Sequence, residues 1–289
     1  MLAADIKKRI LAAQKNEITE HIIYHRLSLA LRDKEKAAVL EKISRDELTH
    51  HDFWRELTAQ YVEPDRRKVF FFTWLSRIFG LTFGLKLMER GEDNAQDVYD
   101  QLREVASGVT KIIQDEEAHE KQLIDLINEE RLLYVSSVVL GLNDALVELT
   151  GALVGFTFAL QNTRLVGIVG LITGIAASMS MAASEYLATK QEDTKKSPAK
   201  AAVITGGAYV LTVALLILPY LVFENIFLCL GLVVGTALLV ISSFTYYISV
   251  AKDMDFKKRF LEMAGISLGV AAINFAIGLA VRAWFGIDV

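Results

Sequence analysis

The chain has 289 residues, 53% hydrophobic and 23% charged, with a net charge of −4, five histidines and one cysteine, Cys229. A lone cysteine inside an apolar run excludes a disulfide framework and a thiolate metal site, and the acidic balance offers nucleic acid no electrostatic footprint. The charge is unevenly shared: residues 1–130 hold 20 Lys+Arg and 25 Asp+Glu, net −5, and residues 131–289 hold 11 and 10, net +1.

That split predicts two domains, 1–130 and 131–289, the first of ordinary soluble length. The chain starts Met1-Leu-Ala-Ala-Asp-Ile-Lys-Lys-Arg9, polar and amphipathic, without the apolar core of a secretory signal. The first domain is therefore expected to stay on the side of the membrane where it is made. Four long helices are expected in it, over 3–31, 33–61, 68–90 with an extension open to 107, and 109–129. Pro64 breaks the chain after the second.

Glu17 and Glu20 lie on the first of these helices, and Glu47 with His50 on the second. Glu89 and Glu92 lie on the third, and Glu116 with His119 on the fourth. Residues at i and i+3 project from one helix face. Each Glu-x-x-His pair can thus offer a carboxylate oxygen and an imidazole nitrogen to one point. Two such pairs, with a Glu from each of two further helices, make the ligand set of a di-iron carboxylate bundle. The competing explanation is chance, because Glu is a strong helix former; two pairs on alternate helices argue against it. His21 and His51 read as solvated groups or as groups just outside the ligands, and His25 as structural. Tyr24 reads either as a hydrogen-bond partner of the site or as a core tyrosine.

Residues 69–88, from Val69 to Met88, are nearly long enough to cross a bilayer, but Arg77 falls in their middle and Lys86 near their end. Crossing would also separate Glu89 and Glu116 from Glu47. The segment is expected to be a core or interfacial helix, its aromatic face on the bilayer or against a second subunit.

Beyond residue 131, five spans are predicted, over 132–160, 165–188, 199–221, 225–250 and 261–284, each long enough to cross with some tilt. The loops 189–200 and 251–260 each carry four bases, whereas 161–164 offers only Arg164 and 219–225 none. The positive-inside rule puts the two basic loops in the cytoplasm. Alternation then puts the N-terminal domain in the cytoplasm and the carboxyl terminus outside a cell (inner or plasma) membrane.

Asp144 and Glu148 lie four apart on the first span, and Met181 and Glu185 four apart on the second. An ionisable group at membrane depth is costly unless it faces protein or water, so these residues are candidates for a transport path. The structural alternatives are a helix-packing role for Asp144 and, for Glu185, snorkelling to the cytoplasmic interface. Gly170 with Gly174, Gly231 with Gly235, and Gly265 with Gly269 are small-xxx-small pairs that suit close helix approach and a dimer.

With these residues in view, residues 1–130 resemble the rubrerythrin branch of the ferritin-like superfamily. Residues 131–289 resemble the vacuolar iron transporter family, through Gly141-Leu-Asn-Asp-Ala-Leu-Val-Glu-Leu-Thr-Gly151 and Ser180-Met-Ala-Ala-Ser-Glu-Tyr-Leu-Ala188. The whole is similar to the membrane-bound ferritins of prokaryotes. The resemblance implies an all-α protein, a ferritin-like four-helix bundle followed by a five-span transmembrane domain. It also implies a homodimer in membrane lipid that exchanges Fe²⁺, and Mn²⁺ as well, for protons. Glu17, Glu47, His50, Glu89, Glu116 and His119 match its di-metal ligand pattern, with Glu92 or Glu20 as the extra carboxylate. Asp144, Met181 and Glu185 fall on its transport route, to which spacing adds Glu148. Plant and yeast-type vacuolar transporters insert a metal-collecting helical segment between spans two and three; residues 189–199 are too short for it, and the bundle would take over that role.

The expected function is export of Fe²⁺ or Mn²⁺, proton-coupled, with the bundle capturing or sensing the metal. The rival is a membrane-anchored ferroxidase or peroxidase of the rubrerythrin type, in which the spans serve as anchor. Buried carboxylates within the spans argue against a mere anchor.

Overall fold

The computed structural model describes residues 4–88, 108–126, 130–252 and 254–285. The chain divides into two compact units, Met1–Glu129 and Glu130–Val289, and every regular element among the described residues is helical.

In the first unit, α1 spans Ala4–Ala30 and α2 spans Lys34–Thr58. The carboxylate of Asp33 accepts the amide hydrogens of Glu35 and Lys36 at the head of α2; such a cap stabilises a helix by about 1 kcal/mol. Ala59, in the left-handed region at φ 50°, closes α2. Asp65 caps α3 (Arg66–Phe79) in the same way through Arg67 and Lys68.

The predicted continuous third helix is not observed: α3 ends at Gly80, and residues 81–88 form a separate helix, α4. Gly80 has φ 101° and ψ 155°, a conformation essentially reserved for glycine. The break divides the expected core-or-interfacial segment between both roles. Leu81, Phe83, Leu85 and Met88 of α4 are buried, whereas α3 exposes Phe70, Phe71, Trp74, Ile78 and Phe79. The last helix of the unit is α5 (Val109–Leu126).

The core of this unit comes in two apolar layers. One holds Ile10 and Ala13 of α1, Trp54 of α2 and Val109, Ile112 and Ile113 of α5. The other holds Ile23, Tyr24 and Leu27, then Leu40 and Ile43, Leu123 of α5, and residues of α3 and α4. Along α1 and α5 the layers follow in the same order, and along α2 in reverse, so α2 runs antiparallel to the other two. Between the layers, α1 carries Glu17, α2 carries Glu47 and His50, and α5 carries Glu116 and His119. Helical register alone therefore gathers the acidic and imidazole groups at one level.

The second unit contains five helices long and apolar enough to cross a membrane: Leu133–Leu160, Thr163–Gln191, Pro198–Val222, Ile226–Ala251 and Phe256–Phe285. The first is composite, with α6 (Glu130–Asp144), a π-helical turn at Ala145–Leu149 and α7 (Thr150–Leu160). The others are α8 (Thr163–Gln191), α9 (Pro198–Val222), α10 (Ile226–Ala251) and α11 (Phe256–Phe285). Gln161 at φ 49° and the capping Asn162 turn the chain into α8. Asn225 caps α10 through the amides of Phe227 and Leu228.

Of the small-residue pairs, Gly170 and Gly174 are used within the chain. A Cβ there would lie 2.6 Å from Leu153 and 2.7 Å from Val213. Positions 231, 235, 265 and 269 have open space instead. The loop after α8 is tied to the start of α6: Lys196 Nζ donates to Ser136 Oγ (2.6 Å), the Ser197 amide donates to Tyr134 Oη (3.0 Å), and Lys200 lies over the Tyr134 ring. The first of the two basic loops and the beginning of the first span thus share one end of this unit.

Candidate metal centre

Glu17, Glu47, His50 and Glu116 each offer a ligand atom within 4.8 Å of the other three. Glu17 and Glu47 are 1% exposed and His50 3%. Three carboxylate oxygens converge on one imidazole nitrogen. His50 Nδ1 is 3.6 Å from Glu17 Oε2, 3.4 Å from Glu47 Oε2 and 3.3 Å from Glu116 Oε1, yet it makes no hydrogen bond to any of them. His119 Nδ1, likewise without a hydrogen bond, is 3.2 Å from Glu47 Oε1 and 3.8 Å from Glu116 Oε2. Each of Glu47 and Glu116 therefore turns one oxygen toward His50 and the other toward His119. The two imidazoles stand with centroids 5.8 Å apart.

The outer nitrogens of both rings are held crosswise. His50 Nε2 donates to Asp115 Oδ2 at 3.3 Å, and His119 Nε2 donates to Asp46 Oδ2 at 3.1 Å. Each aspartate immediately precedes the Glu of the opposite pair, so the repeated unit is Asp-Glu-x-x-His: 46–50 on α2 and 115–119 on α5. Donation from Nε2 turns Nδ1 toward the carboxylates, and loss of the Nδ1 proton would leave there the lone pair that a metal ligand needs. Trp54 Nε1 donates to Glu17 Oε1 at 3.0 Å and orients that carboxylate. Sequence reading missed Asp46, Asp115 and Trp54. The aspartates were findable, since the five-residue repeat occurs twice; the Trp54 contact spans 37 residues and carries no local signal.

Buried charges at this density must be neutralised by protons, by each other or by a cation. Burial raises the Glu17 carboxyl to about 8, against the contact with His50 and with help from the charges of Glu47 and Glu116. For His119, burial works against the charged ring, but Glu116 and Glu47 outweigh it and lift the imidazole to about 10. His50 is raised further for the same reason, by Glu116, Glu17 and Glu47 over burial. Burial alone would raise Glu116; His119 and His50 overcome it and bring the group to about 2. The protons on Glu17, His50 and His119 occupy the positions a cation would take. Oxygen with imidazole is a donor set for borderline and hard divalent metals. The residues present fit such an ion.

The remaining residues singled out in the sequence are placed as follows. Glu20 is half-buried and not in the four-residue group. Glu89 and Glu92 lie outside the described residues. His51 is not solvated: it is 3% exposed, with Nδ1 3.2 Å from Asp52, because it sits on the α2 face that also buries Trp54. His21 bonds to Ser44 (2.7 Å to its carbonyl oxygen) and His25 to Glu41 (2.9 Å), both structural roles. Tyr24 belongs to the apolar layer.

The membrane-spanning unit contains no comparable cluster among the described residues. Asp144 is the last residue before the π turn, and Glu148 lies inside it, exposed at the unit's surface and accepting a hydrogen bond from Tyr209 Oη at 3.0 Å. Such turns recur at functional positions in helices. Glu185 is 8% exposed. Rather than snorkelling, it accepts a 2.6 Å hydrogen bond from the buried Ser137 of α6. Thr205 of α9 donates to the Ser137 carbonyl oxygen, so three helices meet at this polar point. Met181 is half-buried against the apolar core. Ser137 and Tyr209 are partners that sequence reading did not find.

No curated protein and no solved structure matches the chain. Residues 135–195, which contain Ser137, Asp144, Glu148, Met181 and Glu185, match the sequence model of the VIT family.

Proposed function

We propose that this multi-pass membrane protein exports Fe²⁺, and Mn²⁺ as well, in exchange for protons, and that its N-terminal unit captures the metal first. The match of residues 135–195 to the VIT family supports the transport assignment. One observation carries the capture role: the buried Glu17 and Glu47, the half-buried Glu116 and two imidazoles face one another, with Glu47 and Glu116 each divided between His50 and His119. Two carboxylates shared in this way suit a pair of cations. Glu17 would be a terminal ligand beside His50, with Glu89 as a further ligand and Glu92 or Glu20 as the extra carboxylate. The N-terminal unit would be ferritin-like, cytoplasmic and paired in a homodimer, with the carboxyl terminus on the far side.

In the membrane, Asp144, Glu148 and Glu185 supply oxygen ligands and Met181 a weak thioether. A proton and a dication compete for the same carboxylate oxygen, so a proton arriving from outside releases the metal outward. That competition is sufficient to couple the two fluxes. Proteoliposomes loaded with Fe²⁺ under a pH gradient test the reading: Asp144→Ala should abolish metal flux while leaving metal bound to the N-terminal unit. Unchanged flux would remove Asp144 from the path.

The enzymatic reading, a ferroxidase or peroxidase, is favoured by the same shared carboxylates, which suit redox work at paired metals. Flux measured without oxygen or peroxide separates the two. An exporter continues to move metal under those conditions, and an anchored oxidase shows no flux at all.

A further inference from the structure

The N-terminal segment is acidic, yet one of its surfaces is basic and aromatic. Helix α3 has Arg66, Arg67, Lys68 and Arg77 and no acidic residue. Its exposed residues include Phe70 at 69%, Ile78 at 50%, Trp74 at 48% and Phe71 at 47%. Between α3 and the end of α1 runs a groove of about 470 Å³, lined by Arg26, Leu29 and Ala30 on one wall and by Phe70, Thr73, Trp74 and Arg77 on the other. Leu29 is 74% exposed. Thr73 is more than nine-tenths buried, and its hydroxyl has no hydrogen-bond partner. Neither Arg26 nor Arg77 is paired with a carboxylate among the described residues.

Large apolar side chains on a water-facing helix need a cover. A helix with aromatic residues on one face and Lys/Arg along its borders has the composition of an element that lies in a membrane interface. The same chain has five membrane-crossing helices, so a bilayer is always close at hand.

We propose that the α1–α3 groove binds an anionic phospholipid of the membrane in which the chain is embedded. The phosphate is held by Arg26 and Arg77, with the Thr73 hydroxyl as a further donor, and the glycerol and upper acyl carbons lie along Leu29, Phe70 and Trp74. Arginine suits this role because its planar fork pairs with phosphate oxygens in two directions. Arg66, Arg67 and Lys68 add a general attraction to an anionic surface. The inference does not depend on which metal is carried, or on whether it is carried.

The full chain carrying Trp284→Phe, reconstituted in nanodiscs with brominated acyl chains, tests it. Its remaining indoles are Trp54, which is fully buried, and Trp74. Discs of phosphatidylglycerol mixed with phosphatidylcholine should quench Trp74 strongly, and discs of phosphatidylcholine alone should quench it weakly. Adding Arg26→Gln with Arg77→Gln should abolish the difference while circular dichroism stays unchanged. Absence of quenching in both discs would overturn the proposal and leave a second copy of the chain as the cover. Equal quenching in both discs would overturn it too, since the contact would then ignore the headgroup. The comparison of lipids needs no variant at the groove, so a misfolded double variant would not protect the idea.

Discussion

The two units handle carboxylates in opposite ways. In the first, Glu17, Glu47 and Glu116 are drawn to one level with His50 and His119, and the Nε2 of each ring is bonded to an aspartate of the facing helix. In the second, Asp144, Glu148 and Glu185 form no group of that density among the described residues, and the latter two are each met by one hydroxyl from another helix, Tyr209 for Glu148 and Ser137 for Glu185. A dense, pre-oriented donor set favours retention, because little reorganisation is needed on binding. A sparse one with neutral partners favours passage, since a path must bind weakly enough to release. On the proposed function, capture and transit would use the same side-chain chemistry at different densities.

The largest expected effect breaks the dense half. Glu47→Ala removes the more buried of the two carboxylates that face both imidazoles, and should weaken Fe²⁺ or Mn²⁺ binding to the N-terminal unit by more than about 100-fold. Isothermal titration of the full chain in detergent reads this directly. Retained affinity would mean that the shared oxygens are incidental. Next, Glu185→Gln keeps its shape and its contact with Ser137 but removes the charge, and should lower flux in proteoliposomes by about 10-fold without altering metal binding at the cluster.

The outlying aspartates sharpen the contrast. Asp46→Asn and Asp115→Asn should each cost about 10-fold in affinity, the usual weight of a group that orients a ligating imidazole. Their equivalence is itself a prediction, because each holds the other helix's histidine.

pH gives a further test. With Glu17 raised to about 8 and His119 to about 10, the metal-free cluster binds more protons folded than unfolded. The stabilisation from Glu17 is complete below its unfolded value of 4.5 and is lost as pH rises through about 8; that from His119 is complete below 6.5 and lost through about 10. The metal-free protein should therefore lose stability from pH 6.5 to 8. Binding displaces these protons, so the rise in melting temperature produced by Mn²⁺ should grow over the same interval. A metal-induced shift that shrinks as pH rises would contradict the proton count.

The last test concerns packing and leaves both sets of carboxylates untouched. A methyl added at Gly141 meets the carbonyl oxygen of Thr205, whereas at Gly231 it meets nothing within 4 Å. Gly141→Ala should cost about 1–3 kcal/mol. Gly231→Ala should be neutral or stabilise by up to about 1 kcal/mol, and thermal unfolding in detergent distinguishes the two.

Much of this was legible because it is periodic. Helix lengths, the five apolar spans and the alignment of Glu17, Glu47 with His50, and Glu116 with His119 follow from local pattern and from i, i+3 spacing. What was not legible depended on a single backbone choice or a distant partner. Gly80 in its glycine-only conformation divided a segment whose hydropathy is continuous. The π turn after Asp144 leaves no mark in composition. The partners Trp54, Ser137 and Tyr209 come from other helices, so only the folded chain reveals them. The Asp-Glu-x-x-His repeat was in plain view; a search limited to the Glu-x-x-His ligand pair passes over its first residue, although that residue stands one turn before the histidine.

If the proposed function holds, the carboxylates and imidazoles of the first unit converge on divalent cations. Anomalous diffraction at the iron and manganese edges, from crystals soaked in each ion, tests it most directly. A peak is expected among His50 Nδ1, Glu17, Glu47 and Glu116, and a second on the His119 side of Glu47 and Glu116. Well-ordered crystals with no anomalous density at either position would contradict it.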